Sequence, residues 1–135
     1  MTTFPTIRQV VLDATDVRAL AEFYRELLGF EYREGDEPPD DETPDWLVLR
    51  DPGGSQRVAF QLVDRLPLST WPTAEVPQQL HLDLMVGSKP ALDVHHQRAL
   101  ELGARLLLDR SDDEQEPLRV YADPAGHPFC IFVAL

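Results

Sequence analysis

The stretch QVVLDATD, Gln9–Asp16, has a counterpart later in the chain, HLDLMVGS, His81–Ser88. Both are short runs rich in apolar residues, which is typical of a strand with one buried face. Both end in a residue that caps helix N-termini, Asp16 in the first and Ser88 in the second. Each counterpart is followed by apolar residues at helical spacing, so the chain begins a strand–helix unit twice.

Other landmarks recur at nearly the same distance. Each helical pattern stops at a Leu-Gly pair, with Gly29 and Gly103 as the C-terminal caps. Turn signatures follow in both halves, DPGG from Asp51 and DPAG from Asp123. The spacings are 72 residues (9 to 81), 74 (29 to 103) and 72 (51 to 123), which indicates an internal duplication.

Each half is predicted to form a strand, a helix and three strands. The ranges are 7–14, 17–28, 29–33, 45–50 and 56–64, then 79–86, 89–102, 104–109, 118–122 and 128–134. We expect one domain over residues 1–135, in which modules 7–64 and 78–135 are joined by a linker at 65–77 with three prolines. On the second helix the apolar stripe is expected to contain His95, with His96 exposed.

Strand alternation sorts the side chains into two sets. One set is apolar and is predicted to pack beneath the helices: Val10, Leu12, Phe60, Leu62, Leu82, Leu84, Val86, Phe129, Ile131 and Val133. The other set is mixed and predicts either a ligand pocket or a solvated face: Gln9, Val11, Asp13, Ala59, Gln61, Val63, His81, Asp83, Met85, Cys130 and Phe132. His127 and Cys130 are three residues apart and fall on opposite faces, so they are not expected to share a metal or form a catalytic pair.

The repeated strand–helix–three-strand order, with FYRELLGF (Phe23–Phe30) and DPAGHPFCIF (Asp123–Phe132), resembles the vicinal oxygen chelate superfamily. The likeness is to its glyoxalase-like, bleomycin-resistance-like branch, and it covers about Ile7 to Val133. The resemblance implies an α+β fold in which two tandem βαβββ modules form a curved mixed sheet around a cleft. It also implies a homodimer.

Metal-dependent members of the superfamily hold one divalent ion with four side chains, which by resemblance correspond here to Gln9, Gln61, His81 and Cys130. This set has no carboxylate and one histidine, and neutral amides bind divalent ions weakly. We therefore expect no tightly bound metal and no other cofactor. The alternative is a Zn, Mn, Fe or Ni ion at these four residues.

The first functional hypothesis is a protein that binds a small organic molecule in the cleft between the modules. The expected contacts are the four polar residues just named together with Trp46, Trp71, Tyr121 and Phe132. The second is a metal-dependent enzyme, a glyoxalase-type lyase or ring-cleaving dioxygenase that uses the ion as a Lewis acid. A third makes Cys130 a nucleophile with His81 as its base. The residues leave open whether the protein is catalytic.

Charge narrows the choice of partners. The chain carries 24 acidic and 12 basic residues, a formal net charge of −12. Such a chain repels phosphate backbones and anionic lipids, so nucleic acid and membrane are not expected partners, whereas a cationic ligand is favoured. A single cysteine and the absence of a secretory signal or an apolar run of ~20 residues predict a cytoplasmic protein.

Overall fold

The computed structural model describes residues 3–134 and confirms the predicted order of elements. The elements are β1 (Val10–Ala14), α1 (Val17–Leu28), β2 (Glu31–Tyr32), β3 (Trp46–Arg50), β4 (Gln56–Leu62), β5 (Leu82–Val86), α2 (Lys89–Leu102), β6 (Arg105–Arg110), β7 (Leu118–Ala122) and β8 (Pro128–Val133). Both β1 and β5 start three residues later than expected. At β5 the first pair in the ladder is Leu82 with Phe129, and Pro128 before it has no N–H to extend the ladder.

Both helices begin and end where the sequence predicts. The side chains of Asp16 and Ser88 each accept a hydrogen bond from the backbone N–H three residues later, at 3.1 and 3.2 Å. Gly29 and Gly103 close the helices in the left-handed conformation, with φ of 69° and 113°. A side chain with a Cβ is strained at this φ, and the glycines avoid that cost.

The chain divides between Asp64 and Arg65 into two compact units, each with one helix and one four-stranded mixed sheet. The strand order is β1-β4-β3-β2 in the first unit and β5-β8-β7-β6 in the second. The strand before the helix pairs in parallel with the last strand, and the other pairs are antiparallel. Within residues 3–134 neither helix has the length and apolar character to cross a membrane.

Each helix packs on one face of its own sheet, as the apolar set predicts. In the first unit Tyr24 of α1 stacks on Phe60 of β4 at 6.0 Å between ring centroids, and both are fully buried. In the second unit Phe129 is fully buried beneath α2 and stacks on Tyr121 at 5.1 Å. Burying an aliphatic or aromatic side chain of this size stabilises the fold by about 1.5–3 kcal/mol.

The expected exposure of His96 is wrong. The ring is half-buried, and its Nδ1 lies 2.8 Å from the hydroxyl of Tyr121 on β7. Leu92, His96 and Ala99 are related by i, i+4, i+7 spacing, so they share the helix face that meets the sheet. Burial, followed by the nearby charge of Arg119, lowers the pKa of His96.

Candidate functional site

The face of the second sheet opposite α2 carries a cavity of about 270 Å³. Its floor is apolar because β7 and β8 pair so that Leu118 lies opposite Phe132 and Val120 opposite Cys130. All four side chains line the cavity. Strand alternation points the adjacent residues of β8, Phe129 and Ile131, into the core beneath the helix.

A polar cluster centred on Asp83 forms one wall. Asp83 pairs with Cys130 across β5 and β8, and the Sγ–H of the cysteine donates to Asp83 Oδ1 at 2.9 Å. His81 Nε2 lies 3.0 Å from the same oxygen. The other ring nitrogen, Nδ1, lies 3.1 Å from Oε1 of Gln78. Asp83 therefore holds both His81 and Cys130 through a single oxygen.

The sulfur of Cys130 is a thiol rather than a thiolate. Burial, followed by the hydrogen bond to Asp83 and the charge of that carboxylate, raises the pKa of Cys130 to about 12. A thiolate is the form of cysteine that attacks electrophiles and binds metals. The arrangement opposes a role for Cys130 as a nucleophile activated by His81.

Trp71 lines the cavity from the segment that the sequence predicts to be a linker. A compact turn holds this segment, in which Thr70 N–H donates to the carbonyl of Val76 at 2.8 Å and Val76 N–H donates to Thr70 Oγ1 at 2.9 Å. The N–H of Trp71 itself donates to Ser69 Oγ at 3.2 Å. The indole is therefore carried on an ordered part of the second unit.

Gln61 and Trp46, two expected site residues of the first unit, lie on one sheet face. Gln61 of β4 pairs with Asp13 on one side and with Trp46 on the other, so the three side chains point the same way. Gln9 directly precedes β1, and its buried Oε1 has no hydrogen-bond partner among residues 3–134. That Gln9 and Gln61 converge with His81 and Cys130 on one cleft stays a prediction.

One expected site residue, Tyr121, is placed differently from expectation, and one residue of the site, Asp83, has a role that the sequence did not predict. Tyr121 does not line the cavity, because alternation along β7 points it toward α2, where it is fully buried and bonded to His96. Asp83 lies on the mixed face, as expected, and its contacts with Cys130 and His81 are what the sequence analysis did not predict. The signal was present in the sequence, since Asp83 alternates with His81, but its bond to Cys130 depends on the register of β5 and β8.

Sequence comparison agrees with this architecture. The family model described as "Glyoxalase-like domain" matches residues 9–132, nearly the whole chain. The chain belongs to the glyoxalase-like domain family. No curated protein sequence is significantly similar to this family member.

Solved structures show the same fold as this glyoxalase-like domain. A glyoxalase/bleomycin resistance protein/dioxygenase family enzyme from Burkholderia phytofirmans is 21% identical, with a TM-score of 0.71 over 95% of this chain and 98% of that one. The fosfomycin resistance protein FosX from Listeria monocytogenes is 13% identical, with a TM-score of 0.70 over 98% and 96%. A mutant of that FosX, 15% identical to this chain over 98% and 95% with a TM-score of 0.70, was solved with Mn(II) and 1S,2S-dihydroxypropylphosphonic acid.

The donors that this glyoxalase-like domain offers do not fit a divalent ion well. Cys130 keeps its proton, and His81 Nε2 is held by Asp83. Gln9 and Gln61 would add neutral amide oxygens, which are weak ligands for such ions. Within residues 3–134 no three His, Cys, Asp or Glu side chains are grouped so that they could hold a metal.

Proposed function

We propose that this glyoxalase-like domain binds a small organic molecule in the cavity of its second unit, without a resident metal ion. The observation that carries the proposal is the combination of an apolar floor with the polar cluster of Asp83, His81 and Cys130. Pockets for small molecules are mostly apolar with a few placed polar groups, and this cavity has that composition.

The dimensions favour a compact ligand. A volume of about 270 Å³ lies just under the ~300–1,000 Å³ that is usual for drug-sized molecules. Phe132 in the floor and Trp71 in the wall offer aromatic surface, and aromatic pairs add about 0.5–1.5 kcal/mol beyond the area they bury. We therefore propose a ligand with one or two rings or a similarly small apolar body.

The charges favour a cationic ligand. Asp83 and Glu116 both line the cavity, and no lysine or arginine among residues 3–134 does. The chain as a whole carries a formal charge of −12, so its field attracts cations and repels anions. A positively charged group near Asp83 would meet a carboxylate that strand pairing already holds in place.

The test is a fragment screen by two-dimensional NMR on the full chain. We expect a subset of small aromatic amines to shift the amide resonances of Val120, Cys130 and Phe132, with Trp71→Ala weakening the binding. Phe4→Ala is the matched control, because Phe4 is an 80% exposed aromatic that does not line the cavity. A screen in which no fragment shifts these three resonances would refute the proposed binding site.

Metal dependence is tested separately. We expect Mn²⁺, Fe²⁺, Ni²⁺ and Zn²⁺ to leave the melting temperature of the stripped protein unchanged. A rise that His81→Ala abolishes would overturn the metal-free proposal. It would favour instead the alternative of a metal-dependent lyase or dioxygenase, in which the ion serves as a Lewis acid.

A further inference from the structure

We propose that Asp83 Oδ2 anchors an organic cation that carries N–H donors, namely an ammonium, amidinium or guanidinium group attached to an aromatic body. This inference rests on the proposed function and specifies the class of ligand. It assigns the recognition of charge to one oxygen atom of one residue.

The two oxygens of Asp83 have different roles. Oδ1 is occupied by two donors, the thiol of Cys130 at 2.9 Å and Nε2 of His81 at 3.0 Å. Oδ2 makes no hydrogen bond within residues 3–134, and the side chain is 59% exposed at the cavity. A carboxylate has about four acceptor positions. The remaining capacity of Asp83 is therefore concentrated on Oδ2.

The negative charge remains available to a ligand. The Cys130 thiol contributes a hydrogen bond and no formal charge. Both Cys130 and His81 contact Oδ1, so Oδ2 of the carboxylate stays open to a ligand in the cavity. The bonds that restrain Oδ1 also orient Oδ2, so a ligand meets a preorganised acceptor.

Glu116 is the weaker candidate for this role. It lies in the loop before β7 and has a longer side chain that is costlier to order. Asp83 sits within β5, paired to Cys130 on β8. Glu116 therefore contributes to the field at the cavity, while Asp83 makes the directional bond. This difference makes Glu116→Gln a matched control, because it removes the same charge from the same cavity.

The ligand needs N–H groups because Asp83 Oδ2 accepts hydrogen bonds and cannot donate them. Charge-assisted hydrogen bonds are roughly twice as strong as neutral ones. A quaternary ammonium group has no hydrogen to donate, but it can still lie over the indole of Trp71 through a cation–π contact. Comparing primary and quaternary amines of equal charge therefore separates recognition by Asp83 from recognition by the aromatic wall.

The experiment titrates the full chain with four probes that share one ring system. They are 1-naphthylmethylamine, its N,N,N-trimethyl derivative, 1-naphthalenemethanol and 1-naphthoate. Binding is followed by calorimetry and by the amide resonances of Val120 and Phe132. We expect the amine to bind about tenfold or more tightly than the alcohol or the trimethyl derivative, and the anion to bind weakest. Asp83→Asn should weaken the amine about tenfold, and Glu116→Gln less than about threefold.

The outcomes separate the two proposals. If the alcohol and the amine bind equally well and both shift Val120 and Phe132, the binding site stands and the anchor at Asp83 is overturned. If the trimethyl derivative equals the amine, or Asp83→Asn leaves the amine unaffected, the anchor is also overturned. If no probe shifts those resonances, both proposals fail. The series on the unmodified protein decides the question even if Asp83→Asn does not fold.

Discussion

Replacing Asp83 by Asn should make the buried thiol of Cys130 more reactive. The substitution keeps the size of the side chain and an oxygen that accepts a hydrogen bond, but it removes the charge. In the native protein the pKa of Cys130 is about 12, against an ordinary value of 9.0. At about pH 8 the thiolate fraction is therefore roughly a thousandfold smaller than that of an ordinary cysteine.

The expected gain in reactivity is a small part of that thousandfold difference in thiolate fraction. Burial is the largest cause of the raised pKa, and the hydrogen bond to Asp83 and its charge come after it. Asp83→Asn leaves burial in place, so the pKa falls but stays above its ordinary value. The rate of alkylation follows the thiolate fraction, and we expect it to rise roughly tenfold at about pH 8.

The assay is alkylation by iodoacetamide followed by intact mass, which is simple because the chain has one cysteine. The full pH–rate profile distinguishes a lowered pKa, which shifts the profile, from greater access, which raises the rate at every pH. Glu116→Gln is the control, since Glu116 is the smallest of the named causes. It should change the rate less than about twofold. A profile for Asp83→Asn that coincides with the native one would refute the role given to the carboxylate.

Three further predictions concern stability. The proton on Cys130 favours the folded state, because the folded pKa of about 12 exceeds the ordinary 9.0; this contribution is complete below about pH 9 and is lost as pH rises toward 12. The free energy of unfolding, measured by urea denaturation, should therefore fall less steeply with rising pH in Cys130→Ser than in the native protein. The difference in slope should reach up to about 1.4 kcal/mol per pH unit. The lowered pKa of His96 acts in the opposite direction, so the free energy of unfolding should fall as pH drops below the ordinary value of 6.5. It should fall less steeply in His96→Gln, and equal slopes in the two proteins would contradict the lowered pKa. Ala at Gly54 or Gly126, with φ of 88° and 92°, should cost about 1–2 kcal/mol. Ala at Gly126 should cost more, because its Cβ would lie 2.5 Å from Leu68 Cδ2, and Leu68→Ala in the same chain should recover the excess in thermal melts.

The elements of the fold were predictable because their signals are local. The caps at Asp16 and Ser88 and the terminal glycines at 29 and 103 act within one or two helical turns, and the structure confirms both helices to the residue. Alternation along β8 alone likewise predicts that Phe129 and Cys130 point to opposite faces of the sheet, whatever strand lies beside it. The expected exposure of His96 was wrong because the apolar residues of α2 are spread around the helix, with Val94 and Leu100 exposed, so that the sequence gives a poorly defined stripe.

By itself, the sequence determined the repeated order of elements, the buried face of each strand and the placement of Cys130 and Phe132 on the face away from the helix. These follow from bond geometry and from hydrophobic spacing along a single segment. The tertiary structure alone decided that Asp83 bonds to Cys130, 47 residues away. It also decided that the turn at 69–76 carries Trp71 to the cavity and that Tyr121 binds His96 instead of a ligand. Such contacts depend on the register between strands and on where a loop packs, and no local pattern in the chain encodes either.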